Sequence, residues 1–66
     1  MMVTLNGEPR EVSGDLTIRG LLRELGLEGA AIAVAVNSEF VPRTEHETHT
    51  LQAGDAIELV APQQGG

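Results

Sequence analysis

The stretch Thr17-Ile18-Arg19-Gly20-Leu21-Leu22-Arg23-Glu24-Leu25-Gly26 decides the fold class. Ile18, Leu21, Leu22 and Leu25 recur at the i, i+3, i+4, i+7 spacing of a single apolar helix face. Thr17 stands where an N-cap oxygen is needed, and Gly26 where a glycine commonly ends a helix. Arg19, Arg23 and Glu24 fall on the opposite, solvated face. Gly20 costs about 1 kcal/mol relative to alanine inside a helix, which predicts close packing against a sheet at that point. A helix with one apolar stripe must bury it, and the flanking segments read as strands.

Upstream, Met1 to Leu5 alternates, with Val3 and Leu5 on one face and Met2 and Thr4 on the other. Asn6-Gly7 follows, a strong hairpin signal because both residues tolerate positive φ. Glu8 to Val12 is the return strand, and Pro9 marks it as an edge or a bulge. Ser13-Gly14-Asp15 is a loop. Downstream, Ala30 to Val36 is a continuous apolar run that reads as a central strand covered on much of both faces. Asn37-Ser38 is a turn, and Glu39 to Pro42 a short strand. Arg43 to Thr50 is polar and irregular, with room for one helical turn, and Leu51 is its candidate anchor. Gly54-Asp55 is a turn before the last strand, Ala56 to Val60. There Ile57 and Leu59 share one face, and Ala56, Glu58 and Val60 the other. The order is hairpin, helix, two strands, last strand, an α+β fold with the helix on one face of a mixed sheet of four to five strands.

The chain has 66 residues, one small domain whose core is thin. Residues 1–61 are assigned to that domain and 62–66 to a flexible tail ending in Gly65-Gly66. With no cysteine, there is no disulfide framework, thiolate zinc site or cysteine nucleophile. The net charge of −6 disfavours nucleic acid and anionic membranes as partners. The longest apolar run falls far short of the ~20 residues of a membrane-spanning helix. The start lacks the pattern of a signal peptide, so the cytoplasm is the expected compartment. Lysine is absent. There is no phosphate-binding GxxxxGK[ST] loop and no GxGxxG turn, so no nucleotide site is expected in this chain.

Five features are candidates for function. The terminal Gly65-Gly66 suits a carboxylate presented in a narrow slot, since neither residue has a Cβ. Met2, Phe40, Val41 and Val60 are candidates for an apolar patch on the sheet face opposite the helix. Arg43 is a candidate for pairing with a partner's carboxylate or phosphate. His46 and His49, with Glu45 and Glu47 beside them, have spacing compatible with a metal. The favoured reading is two solvated histidines, with no metal site, because no third ligand is evident. Asp55 and Glu58 are read as a turn residue and an exposed strand residue rather than an acid/base pair.

The segments Val34-Ala35-Val36-Asn37-Ser38-Glu39-Phe40-Val41-Pro42-Arg43 and Leu51-Gln52-Ala53-Gly54-Asp55-Ala56-Ile57-Glu58-Leu59-Val60, with the Gly-Gly end, resemble the ThiS family, sulfur carrier proteins of thiamine biosynthesis. The sequence departs from the family pattern at His46, where tryptophan is common, and at the polar Pro62-Gln63-Gln64. The resemblance implies a ubiquitin-like β-grasp fold with the first and last strands side by side at the sheet centre. It implies a carrier rather than an enzyme, with no catalytic residues of its own. Gly66 would be adenylated and converted to a thiocarboxylate, and Gly65 would give access. Phe40, Arg43 and Val60 would be partner contacts. The implied partners are a ThiF-like adenylyltransferase that uses ATP and magnesium, a sulfur-donating desulfurase system, and a ThiG-like thiazole synthase. No cofactor is expected on this chain. A molybdopterin-synthase small subunit, another thiocarboxylate carrier, or a ubiquitin-like modifier or interaction module remain alternatives.

Overall fold

The computed structural model of the chain describes residues 1–61. Five strands and one α-helix follow the order β1 (Met2–Leu5), β2 (Glu8–Glu11), α1 (Ile18–Glu24), β3 (Ala33–Val36), β4 (Glu39–Val41) and β5 (Ala56–Val60), with a 3-10 turn at Arg43–Glu45 between β4 and β5. The sheet order is β2-β1-β5-β3-β4. β1 and β5 run parallel, and the other three pairs are antiparallel. This is the β-grasp arrangement, with β5 in the middle. The strand Ala33–Val36 is interior, as its apolar run predicts, lying between β5 and β4 and one place out from the centre.

Each tight connection has a local cause. Asn6 and Gly7 have φ of 50° and 86°, and Asn37 and Ser38 have 52° and 71°. Both pairs are left-handed, the conformation that matches the twist of a two-residue hairpin. Pro9 faces Thr4 on the edge strand β2, where its missing N–H breaks no internal ladder. Pro42 ends β4 one residue earlier than expected, for the same reason.

The helix is built as its sequence prescribes. Thr17 has extended backbone, and its Oγ1 accepts from the Gly20 N–H at 3.1 Å. Gly26, at φ 74°, ends the helix by donating to the Arg23 carbonyl. The remaining N-terminal donors are satisfied from the β4–β5 connection. Ile18 N–H bonds the His49 carbonyl at 3.1 Å, and Arg19 N–H bonds the His46 carbonyl at 2.9 Å. Leu51 N–H bonds the Leu16 carbonyl at 2.8 Å, and Leu51 itself is buried. A helix of this length is not stable alone, so this docking and the core hold it.

The core joins Ile18, Leu21 and Leu22 to Val3, Val34, Val36, Val41 and Ile57 from the sheet, with Val12 and Leu51 closing its ends. Each fully buried Ile or Leu contributes about 1.5–3 kcal/mol. Among the described residues only one sheet face is covered. Val34 and Val36 are buried, whereas Ala33 is exposed and Ala35 half-buried, so the expectation of cover on both faces is corrected. The strand also starts later than Ala30, because Gly29 at φ 88° turns the chain just before it. Gly20 does not approach the sheet. A Cβ there would lie 2.7 Å from Leu16 Cδ1, so the glycine makes room for the residue that leads into the helix.

Candidate functional site

Strand alternation sorts the open face, the one away from the helix. β4 contributes Phe40, β3 contributes Ala33 and Ala35, and β5 contributes Ala56, Glu58 and Val60. Phe40 pairs with Ala35, Ala35 with Glu58, and Ala33 with Val60. Phe40 and Val60 therefore lie diagonally across two alanines, roughly 12 Å apart from strand and residue spacings. Phe40 is 68% exposed and Val60 60% exposed. The two alanines form a low floor between them, and period-2 alternation in the run would have exposed this pair.

Two of the expected patch members do not belong with them. Val41 is a core residue, because it pairs with Val34 and shares that strand's helix-facing side. Met2 is on the open face and exposed, but β1 pairs with β5 only at Thr4–Ala56 and Leu5–Ile57. That register sets Met2 about 20 Å from Val60 along the strand direction. Apolar character and face were readable, but register was not.

Arg43 opens the 3-10 turn and is exposed. Arg10, Arg19 and Arg23 each pair with a carboxylate, whereas Arg43 has no ion-pair partner among the described residues. Glu28 lies below the usual carboxylate range, first because Arg23 donates a hydrogen bond to it and then through their charges. Arg23 is raised by the same contact. Both are exposed, so solvent screens the pair.

His46 corrects the reading of two solvated histidines. It is 6% exposed, and its Nε2 lies 3.1 Å from the Val41 carbonyl. A carbonyl only accepts, so Nε2 carries the hydrogen. The residue takes the place of a core side chain under the 43–51 connection, while His49 is half-buried nearby. Among the described residues no three potential metal-ligating side chains gather.

The residues Asn37, Gly54 and Asp55 are brought together, and their role is structural. Asn37 Nδ2 donates to Asp55 Oδ1 at 3.0 Å, Asn37 Oδ1 accepts from Ala56 N–H at 3.0 Å, and Asp55 Oδ2 accepts from Gln52 N–H at 2.8 Å. The β3–β4 hairpin is thereby tied to the start of β5. At the other end of β5, Asn6 Oδ1 accepts from Leu59 N–H at 2.9 Å, extending the ladder beyond the end of β1. Both ends of the central strand are thus fixed by asparagine side chains. Glu58 is exposed on β5 opposite Ala35, consistent with a strand-surface role.

β5 leads directly toward the terminal segment. The expectations for residues 62–66, including Gly65 and Gly66, lie outside the described residues. No helix among the described residues is long and apolar enough to cross a membrane.

Comparisons with known proteins agree with this geometry. The ThiS family model matches residues 3–66. The sulfur carrier protein ThiS of Thermus thermophilus is 43% identical over 98% of this chain and 100% of its own length. A thiazole synthase of Paramagnetospirillum magneticum is 38% identical over 100% of this chain, which spans only 20% of that protein. The crystal structure of the thiamine biosynthesis protein ThiS from Geobacter metallireducens superposes with a TM-score of 0.86 at 32% identity, covering 100% of both chains. A central strand pinned by Asn6 and Asn37, an exposed Phe40–Val60 diagonal, and a family match that runs through the terminal glycines lead to one assignment: the chain belongs to the ThiS family.

Proposed function

We infer that the chain is a sulfur carrier protein that supplies sulfur for thiazole formation in thiamine biosynthesis. The observation that carries this reading is the family match over residues 3–66, which includes Gly65 and Gly66. Full-length identity to a carrier of the same size supports it. The protein is a carried co-substrate rather than a catalyst, and its reactive group is the C-terminal carboxyl.

The chemistry proposed for Gly66 follows from the weakness of a carboxylate as an electrophile. Near neutral pH the group is ionised, and oxide is a poor leaving group. A ThiF-like adenylyltransferase, holding ATP and magnesium, would let a carboxylate oxygen attack the α-phosphate and release pyrophosphate. A persulfide from a desulfurase system would then attack the acyl carbon and expel AMP. Cleavage of the resulting S–S bond by a thiol leaves the thiocarboxylate. Gly65 keeps the approach to that carbon free of side chains. Because activation consumes ATP, the proposed compartment is the cytoplasm.

Thiazole synthase is the proposed acceptor. Its support is the occurrence of a region similar to this chain within thiazole synthases of Paramagnetospirillum magneticum and Magnetococcus marinus. Phe40 and Val60 are proposed to meet these enzymes beside the tail, with Arg43 at the same sheet end.

The test is intact mass after reaction with the adenylyltransferase, ATP, magnesium and a persulfide donor. One oxygen should be replaced by sulfur. Deleting Gly66 should abolish that change with the thermal unfolding unaltered. An unchanged mass for the full chain in an otherwise competent system overturns the reading.

A further inference from the structure

A second surface lies on the β4 side of the sheet. A cleft of about 370 Å³ opens between the α1–β3 connection and the edge strand β4 with its following turn. That volume is in the range of small binding pockets. Its lining runs from buried Leu22 and Val41 and half-buried Ile32 to exposed Ala31, Phe40 and Arg43, which mark its outer rim. Phe40 borders the cleft from the edge strand β4, with its side chain on the open face.

Two features indicate what would fit. The first is charge. Arg19 also borders the cleft but is occupied, with Glu47 at 3.0 Å and Glu28 at 3.5 Å. Arg43 has no ion-pair partner among the described residues, so the mouth holds one uncommitted cation on a chain of net charge −6. The second is the backbone. The register that pairs Val34 with Val41 sets Pro42 opposite Ala33, and Pro42 has no N–H. β4 stops there, and the chain just before Ala33 borders the cleft with no strand beside it on that side among the described residues. An extended segment can lie along such an edge.

We propose that this cleft docks an extended segment of a partner protein in which an aliphatic side chain sits next to a carboxylate. The aliphatic group enters between Ile32 and Val41, and the carboxylate pairs with Arg43. The proposal goes beyond the carrier reading and does not depend on it, because it concerns binding and not sulfur chemistry.

The experiment uses the full 66-residue chain, labelled with nitrogen-15 and titrated with acetyl-Glu-Leu-Glu-Leu-Glu-amide or acetyl-Lys-Leu-Lys-Leu-Lys-amide. Overall charge favours the basic peptide, so a local preference for the acidic one is a stringent readout. The expected result is amide shift changes at Gly29 to Ala33, Val41 and Arg43, with the acidic peptide about fivefold tighter. Arg43→Glu should remove or reverse the preference, and Ala31→Trp, which fills the cleft from an exposed position, should weaken both peptides. Shifts confined to the open face around Met2 and Ala56, a basic-peptide preference that Arg43→Glu leaves unchanged, or no shifts with millimolar peptide would each overturn the proposal.

Discussion

Asn37 holds Asp55 across 18 positions of sequence, its Nδ2 3.0 Å from the Asp55 Oδ1. The same side chain accepts from the Ala56 N–H at 3.0 Å while its own backbone is left-handed at φ 52°. Asn37 thus combines a turn conformation with a clamp, and two substitutions separate these roles. Asn37→Gly keeps the conformation and loses the clamp, at a cost of about 1–2 kcal/mol for the two hydrogen bonds. Asn37→Ala loses both and should cost roughly 1 kcal/mol more, since alanine is strained at positive φ. Urea unfolding measures the difference, and equal stability of the two variants would contradict this account.

His46 should behave as a core residue. His46→Ala removes the imidazole's hydrogen bond to the Val41 carbonyl and opens a hole beneath the connection that caps α1. The expected loss is about 2–4 kcal/mol. Nitrogen-15 shifts of the imidazole should also report hydrogen on Nε2. A variant as stable as the parent would return His46 to the solvated loop that its sequence context suggests.

Gly20 and Leu16 should be coupled. In the parent, Gly20→Ala gains about 1 kcal/mol of helix propensity but must displace Leu16 Cδ1, only 2.7 Å from the new Cβ. A near-neutral result is expected. In a Leu16→Ala background the obstacle is gone, and the same change should stabilise by about 1 kcal/mol. A double-mutant cycle with no coupling rules out this contact as the reason for glycine.

Acid should weaken the surface network. The Glu28 carboxyl is held below its ordinary range by Arg23, so its folded-state value is lower than its unfolded one. Its contribution is therefore present above the ordinary carboxylate range and is lost as pH falls through the lowered folded value. Glu28→Gln should show a smaller drop in melting temperature between neutral and acidic solution than the parent does. Because the group is exposed, the difference will be small.

Phe40 and Val60 should act together in partner binding, while Met2 should not. Phe40→Ala and Val60→Ala are each expected to slow sulfur loading several-fold at limiting enzyme, with little change in stability because both are exposed. Met2→Ala, at the far end of the same face, serves as the control. Equal effects of all three would favour a patch spanning the face.

Local chemistry was legible from residues alone. Thr17, Gly26 and the two Asn-led turns act through neighbours within four positions, and each does what its sequence predicts. Long-range relationships were not. The burial of His46 depends on a carbonyl that β4 delivers. The separation of Met2 from Val60 depends on a two-pair register between β1 and β5. The Leu16–Gly20 contact spans only four positions but was not legible either, because it depends on how the entering chain folds over the helix. At the site, Phe40, Arg43 and Val60 were identifiable as exposed groups, but the cleft that Phe40 and Arg43 share was not, because it exists only once Pro42 ends β4 opposite Ala33.

The position of β5 has a mechanical consequence. The strand that leads to the carboxyl end is flanked by β1 on one side and β3 on the other, with Leu59 also held by Asn6. A pull on that end would load two ladders in shear, so several bonds must fail at once. An edge strand pulled the same way would unzip one bond at a time. The folded body is therefore built to withstand a pull on the strand that leaves it last.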